Sequence, residues 1–299
     1  MERARALAAR VAARVGGIPA VRTLAAVLET YDRAGGGLLA GGLAYGALLA
    51  ILPGLLLVVS VAGLFFSDPA RQAALVDAIA VAVPPLEEFA RIALQQVSAG
   101  AVPSSLIAIV GLGVGVSAFY AGLDDGFARI FREVPVRNFV ERWLRGFVAT
   151  GLLIVLPVTG VIVGVILSSV VDALFRREEV PEALQAWLGI GSPLLTVLLF
   201  TIAVGVVFRL VPARPVPLRS LAMPAVATGL AIGVFTEVFA IIAPLMLRTA
   251  AFYGTFIAIF ALLTWLSISL NVMLIGASWL RVRMLAEREP GEAPSTGPA

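Results

Sequence analysis

Six stretches of the chain are apolar almost without interruption, near residues 38–66, 103–122, 147–171, 191–211, 221–247 and 254–280. Each meets or exceeds the roughly 20 residues that a helix needs to cross the hydrocarbon of a bilayer. The runs are continuous rather than alternating, which excludes a closed membrane barrel, whose strands repeat every second residue. The pattern predicts an all-α, polytopic membrane bundle of about six transmembrane helices. The first run begins late, is long and lacks the short apolar region of a cleavable leader, so it is expected to remain as an anchor.

The segments between the runs are also patterned. In the N-terminal segment, residues 1–37, the positions Leu7, Val11, Ile18, Val21, Leu24 and Leu28 are flanked by arginines. That suits one or two amphipathic helices lying on an anionic leaflet; topological anchoring is a simpler reading of them than lipid sensing. Residues 69–98 carry Leu75, Ile79, Leu86, Phe89, Ile92 and Val97 at helical spacing, and Pro84-Pro85 must divide them into two short helices. This hairpin is expected on the outer rim, either as a lid over a cavity or as a packed connection. Loop 123–146 mixes Asp124, Asp125, Glu133 and Glu141 with five arginines. Neighbours on a helix point about 100° apart, so Asp124 and Asp125 fit a helix end or a salt bridge better than a shared metal ion. The transmembrane domain is thus 38–280, followed by a tail, 281–299, that ends in a sequence of disordered composition.

Composition agrees with the pattern. Mean hydropathy is +1.00 and 60% of residues are hydrophobic, more than a soluble core needs. The chain has no cysteine and no histidine, which removes disulfide and thiol chemistry, the commonest general base and the commonest zinc ligand. The 22 basic residues are all arginine, and 17 of them fall in the N-terminal segment, the loop after the second run, the region 209–219 and the C-terminal tail. Only Arg71, Arg91, Arg176, Arg177 and Arg248 lie on the other side. Positive charge is retained on the cytoplasmic side, so both termini are expected in the cytoplasm. A bacterial cytoplasmic (inner) membrane is the expected location.

Glu237 is the one acid well inside a run, and a carboxyl group there should face the bundle or a cavity. Gly229, Gly233, Ala240 and Pro244 share its face and permit close helix contact. The last two runs form an antiparallel hairpin turning near Ala250, which puts Glu237 and Thr264 at similar depth. Thr264 begins a polar stripe that continues through Ser267, Asn271 and Ser278. The stripe fits a hydrophilic path or hydrogen bonding between helices. Interhelical bonding is the better account of Ser267 and Ser278, whereas Glu237 and Asn271 stand equally as functional and structural candidates. A desolvated Glu237 would hold its proton at neutral pH, which suits a proton-coupled step. Small residues four apart at Gly37/Gly41, Gly42/Gly46, Gly111/Gly115 and Gly160/Gly164 predict close packing or an oligomer. Pro53 and Pro157 are expected to kink their spans.

Three segments carry a family resemblance: AGGLAYGALLAILPGLLLVVSVAGLF at 40–65, RLVPARPVPLRSL at 209–221 and YGTFIAIFALLTWLSISLNVMLIGASW at 253–279. They resemble the YihY/BrkB family of bacterial inner-membrane proteins, whose older label is ribonuclease BN. The likeness is strongest at Ala44, Tyr45, Leu48, Pro53, Pro212, Tyr253, Gly254, Trp265 and Gly276. Two positions depart from it. Ser278 stands where relatives carry the glutamate of a Gly-Ala-Glu signature, and Phe127-Ala128 replaces a Leu-Asn pair. The resemblance implies the architecture more than a chemistry.

RNA hydrolysis usually requires a metal cluster or a water-exposed acid–base pair. The chain offers no histidine and no metal-spaced carboxylates, so no enzymatic activity, cofactor, metal or nucleic-acid partner is expected. The leading expectation is a transporter or translocator of an amphiphilic substrate, a lipid or lipid-linked envelope precursor. No ATP-binding loop is visible, so movement would be passive, proton-coupled or driven by a partner. The alternative is a non-transporting scaffold in envelope assembly. Membrane lipids are the expected partners, with a second copy of the chain or an envelope protein as further candidates.

Overall fold

The computed structural model describes residues 19–65, 73, 76, 77, 79, 86–98, 104–132, 182–212, 216–248 and 254–288. Seven helices lie among the described residues: α1 (Pro19–Arg33), α2 (Gly36–Phe65), α3 (Glu87–Ser98), α4 (Ser104–Phe131), α5 (Glu182–Leu210), α6 (Leu218–Arg248) and α7 (Gly254–Arg288). Five of the six apolar runs fall on α2, α4, α5, α6 and α7. The run 147–171 lies outside the described residues, as do Pro157, Gly160 and Gly164. Among the described residues, α2, α6 and α7 are long and apolar enough to cross a membrane.

Helix α1 opens on Pro19, where a missing N–H leaves nothing unpaired. It ends in a tight joint in which the Gly35 N–H donates to the Asp32 carbonyl at 2.9 Å. Gly35 has φ of 72°, a left-handed conformation that a side chain would disfavour. The next glycine is needed for a different reason, since a β-carbon at Gly36 would collide with the Tyr31 ring. Leu24 and Leu28 of α1 are exposed, as are Arg22 and Arg33, while Val27 is buried. This is the two-faced character expected of a helix at a membrane surface. Helix α3 begins just after Pro84-Pro85, as the proline pair requires, and buries Ala90 and Ala93 against α2.

Helix α4 runs to Phe131, past the end expected near residue 122. The apolar run stops there, but Leu123, Phe127 and Ile130 recur at helical spacing and are all buried, which carries the helix on. Asp124 is buried and Asp125 exposed, so the two carboxylates diverge. Helix α7 also continues past its expected end at 280, to Arg288.

The helices pack as two close pairs, α2 with α4 and α5 with α6, and α7 touches a member of each. Glycine sets the α2–α4 seam. A β-carbon at Gly46 would lie 3.2 Å from the Phe119 Cα, and one at Gly115 would run into the Leu49 backbone. The helix continues through Pro53, which faces Gly111 across the same seam. Gly46, Gly111 and Gly115 therefore close a contact inside one chain, whereas Gly41 and Gly42 have nothing opposite them within 4 Å. In the other pair Gly229 meets the Thr201 backbone, and a β-carbon at Gly233 would come 2.9 Å from the Val197 Cα. Phe127 of α4 lies 6.1 Å from Phe208 of α5, ring centre to ring centre, joining the two pairs beneath α7.

The seam yields a paired prediction. Gly113→Ala, at a helical position with open space around it, should be neutral or stabilise by up to about 1 kcal/mol. Gly115→Ala should destabilise by about 1–3 kcal/mol, because backbone cannot step aside as a side-chain tip can. Thermal unfolding of the two variants in one detergent gives the comparison.

Candidate functional site

The polar groups of α6 and α7 define one level of the bundle. The Trp265 indole N–H donates to Thr236 Oγ1 at 3.1 Å, in a buried setting, and the Thr236 hydroxyl donates onward to the Ile232 carbonyl at 2.8 Å. Phe200 of α5 packs on the same indole, with ring centres 6.2 Å apart. Both polar side chains are satisfied, as buried groups in hydrocarbon must be. Trp265 and Thr236 are the immediate neighbours of Thr264 and Glu237, which therefore stand level on adjacent helices.

They do not occupy the same surroundings. Glu237 is half-buried on the face of α6 that carries Gly229 and Gly233, the face pressed against α5. Among the described residues it has no hydrogen-bond or ion-pair partner. Ala240 is half-buried near it, and the side chain of Pro244 lies outside the described residues. Thr264 is exposed, and its hydroxyl returns to the Phe260 carbonyl at 2.8 Å. Arg209 is engaged elsewhere, donating to the Val216 carbonyl at 3.1 Å and closing the α5–α6 turn.

The rest of the stripe divides in the same way. Ser278 is fully buried and donates to the Leu274 carbonyl of its own helix at 2.9 Å. Ser267 and Asn271 are brought together, because the Asn271 amide N–H donates to the Ser267 carbonyl at 2.7 Å. Asn271 Oδ1 accepts the Tyr31 hydroxyl, which fastens α1 to α7. Tyr31 was not singled out from the sequence. The signal available was an amide oxygen on a membrane helix in need of a donor, beside an interfacial segment holding one tyrosine. Burial, and secondly the neighbouring Asp32 carboxylate, hold the Tyr31 phenol above its ordinary pKa.

The resemblance residues are spread through the packing. Ala44 is buried in the α2 core, Tyr45 is exposed, Pro53 is half-buried against Gly111, and Pro212 is buried after α5. Gly254 opens α7, and Tyr253 lies outside the described residues. A β-carbon at Gly276 would collide with Thr228 of α6 and come 3.1 Å from Phe208 of α5, so this glycine lets three helices meet.

Beside Gly276 lies a groove of about 440 Å³ between α1, α6 and α7. Thr23, Leu24 and Val27 form one wall, Ala227 and Ala231 a second, Ile275 and Trp279 the third. Small side chains on α6 leave the space, and the exposed Val226, Leu230 and Val234 of the same helix continue its apolar surface outward. Glu237 and Thr264 are not among its lining residues. Among the described residues, no three acidic side chains converge where a cation could be held.

Long apolar helices, glycine seams and hydroxyl groups bonded back to the backbone define a polytopic helical membrane protein. The chain matches the family described as Virulence factor BrkB over residues 27–297, and it belongs to that family. The resemblance read from Ala44, Tyr45, Trp265 and Gly276 pointed to the same family. No curated protein and no solved structure matches the chain.

The α1–α7 bond gives a prediction in two parts. Tyr31→Phe should lower stability by about 1–3 kcal/mol, since it leaves the Asn271 oxygen without its donor, and should speed amide exchange in α1. Because the folded-state phenol pKa is raised, the contribution of Tyr31 is complete below the unfolded value near 10 and is lost as pH rises through the higher folded value. The difference in melting temperature between wild type and Tyr31→Phe should therefore be constant at neutral pH and shrink only in alkali.

Proposed function

We propose that this protein moves an amphiphilic substrate, a lipid or lipid-linked envelope precursor, across the bacterial inner membrane, with both termini in the cytoplasm. The observation that carries the reading is the groove between α1, α6 and α7. It has the volume typical of small-molecule sites and an apolar lining. One of its walls is an amphipathic helix of the kind that lies at a bilayer surface. Its occupant in this reading is an acyl chain, because the surrounding surface of α6 is exposed and apolar along Val226, Leu230 and Val234. Thr23 and Thr228 provide hydroxyls at the walls.

Glu237 enters the proposal as the one acid well inside a span. It sits on a packed α5–α6 face, where a carboxyl group is costly unless it serves the protein. The reading assigns no bond-making step, no cofactor and no nucleic-acid partner, so ribonuclease activity has no part in it.

Reconstitution into liposomes with labelled phospholipid tests the reading. Wild type should move label well above protein-free liposomes. Ala231→Trp, which fills the groove from a position with an exposed side chain, should slow movement by about tenfold, equivalent to about 1.4 kcal/mol in the barrier. Glu237→Gln should bring movement down towards that of protein-free liposomes. If folded wild type moves no label with or without a gradient, phospholipid transport is wrong and the envelope scaffold becomes the better account.

A further inference from the structure

Arginines from three separated parts of the chain meet at one rim of the bundle. Arg33 ends α1, Arg132 follows α4 and Arg281 lies in the last two turns of α7. The α2–α4 seam runs antiparallel, with Gly46 against Phe119 and Leu39 reaching Gly126, so the start of α2 next to Arg33 lies beside the end of α4 and Arg132, and Arg281 reaches the same end at the Ile130 carbonyl. Three guanidinium groups gathered in this way repel one another, and the arrangement becomes favourable when an anion joins them.

We propose that this rim binds the phosphate of an anionic amphiphile through Arg33, Arg132 and Arg281. The present partners of these side chains leave capacity for it. Arg281 donates through Nη1 to the Ile130 carbonyl near the end of α4, so its fork is fixed in place with other N–H groups still available. Arg33 pairs with Glu29 at 2.6 Å, one turn away on the same helix, with both side chains more than half exposed. Such a pair is weak and exchangeable. Arg132 is exposed and has no acidic partner among the described residues. Its backbone is left-handed, with φ of 51°. Glycine is the usual residue at such a helix end, so an arginine there keeps a charged side chain at some conformational cost.

The location fits a lipid phosphate. Helix α1 places exposed Leu24 and Leu28 beside exposed Arg22 and Arg33, which is the layout of a helix at the level of headgroups. Planar guanidinium forks match phosphate oxygens in pairs. Helix dipoles offer a competing explanation, because Arg33 and Arg132 stand at helix C-termini and Arg281 reaches one. That explanation predicts a loss of stability when an arginine is removed and no preference for any ligand. The site stands on membrane location alone and holds whether or not the protein transports anything.

The test uses the full chain in detergent and measures binding of short-chain phosphatidylglycerol, phosphatidylcholine of the same chain length, and inorganic phosphate. Wild type should prefer phosphatidylglycerol. Arg33→Gln and Arg132→Gln should each weaken that binding by about tenfold, while Arg22→Gln, exposed on α1 and outside the cluster, should not change it. Displacement of the lipid by inorganic phosphate would support the phosphate site and identify a soluble phosphorylated ligand as a source. Binding of the lipid alone would support it with the headgroup as source. Equal binding of the two lipids, or equal losses in all three variants, would overturn the proposal. Both arginines are exposed, and elution as a single symmetric peak shows that a variant is folded.

Discussion

In hydrocarbon, the side chains of leucine, valine and isoleucine gain little by leaving lipid for one another, so helices need another reason to touch. Here the reason is backbone proximity. Gly46 and Gly115 bring α2 and α4 together, Gly229 and Gly233 do the same for α5 and α6, and Gly276 lets α7 settle against α6 and α5. Dispersion acts over these short distances and repays contact at many atoms at once. The long helices are placed by these seams. Because α7 touches both pairs, a disturbance at Gly276 is felt in each of them.

The polar groups follow the same constraint. A hydroxyl in a membrane helix must bond to something, and the nearest acceptor is the carbonyl four residues back in its own helix. Thr264 and Ser278 take that solution, and Thr236 takes it while also receiving the Trp265 indole. A polar stripe drawn on a helix therefore does not by itself make a water path. Asn271 differs because an amide has both donor and acceptor to satisfy. Its donor stays within α7 and its acceptor reaches α1, which makes it the residue through which the surface helix is held to the bundle.

Much of this was legible in the sequence, and the parts that were not have physical causes. Apolar length alone located five of the described helices. Counting residues from the turn near Ala250 placed Glu237 level with Thr264, the level at which Thr236 meets Trp265. The glycine pairs announced close contact, but spacing cannot say whether the opposing backbone belongs to the same chain, and only the structure shows Gly115 against Leu49. The extension of α4 past residue 122 was hidden because the continuous apolar run stops there, and only the structure shows Leu123, Phe127 and Ile130 sharing a buried face. The partnership of Tyr31 with Asn271 spans most of the chain and has no local pattern. The groove is lined by small and apolar residues from three helices, none of which is unusual where it stands.

The joint at Gly35 has a mechanical meaning. Helix α1 is fixed near that end by the left-handed turn and by Tyr31 one turn before it, and midway by the burial of Val27. Its 15 residues extend about 22 Å from there, and the residues that wall the groove, Thr23 and Leu24 among them, lie towards the far end of this arm. The groove wall and the glycine seams are therefore built from different parts of the chain, so a change of direction at residue 35 would alter the groove before it altered the seams.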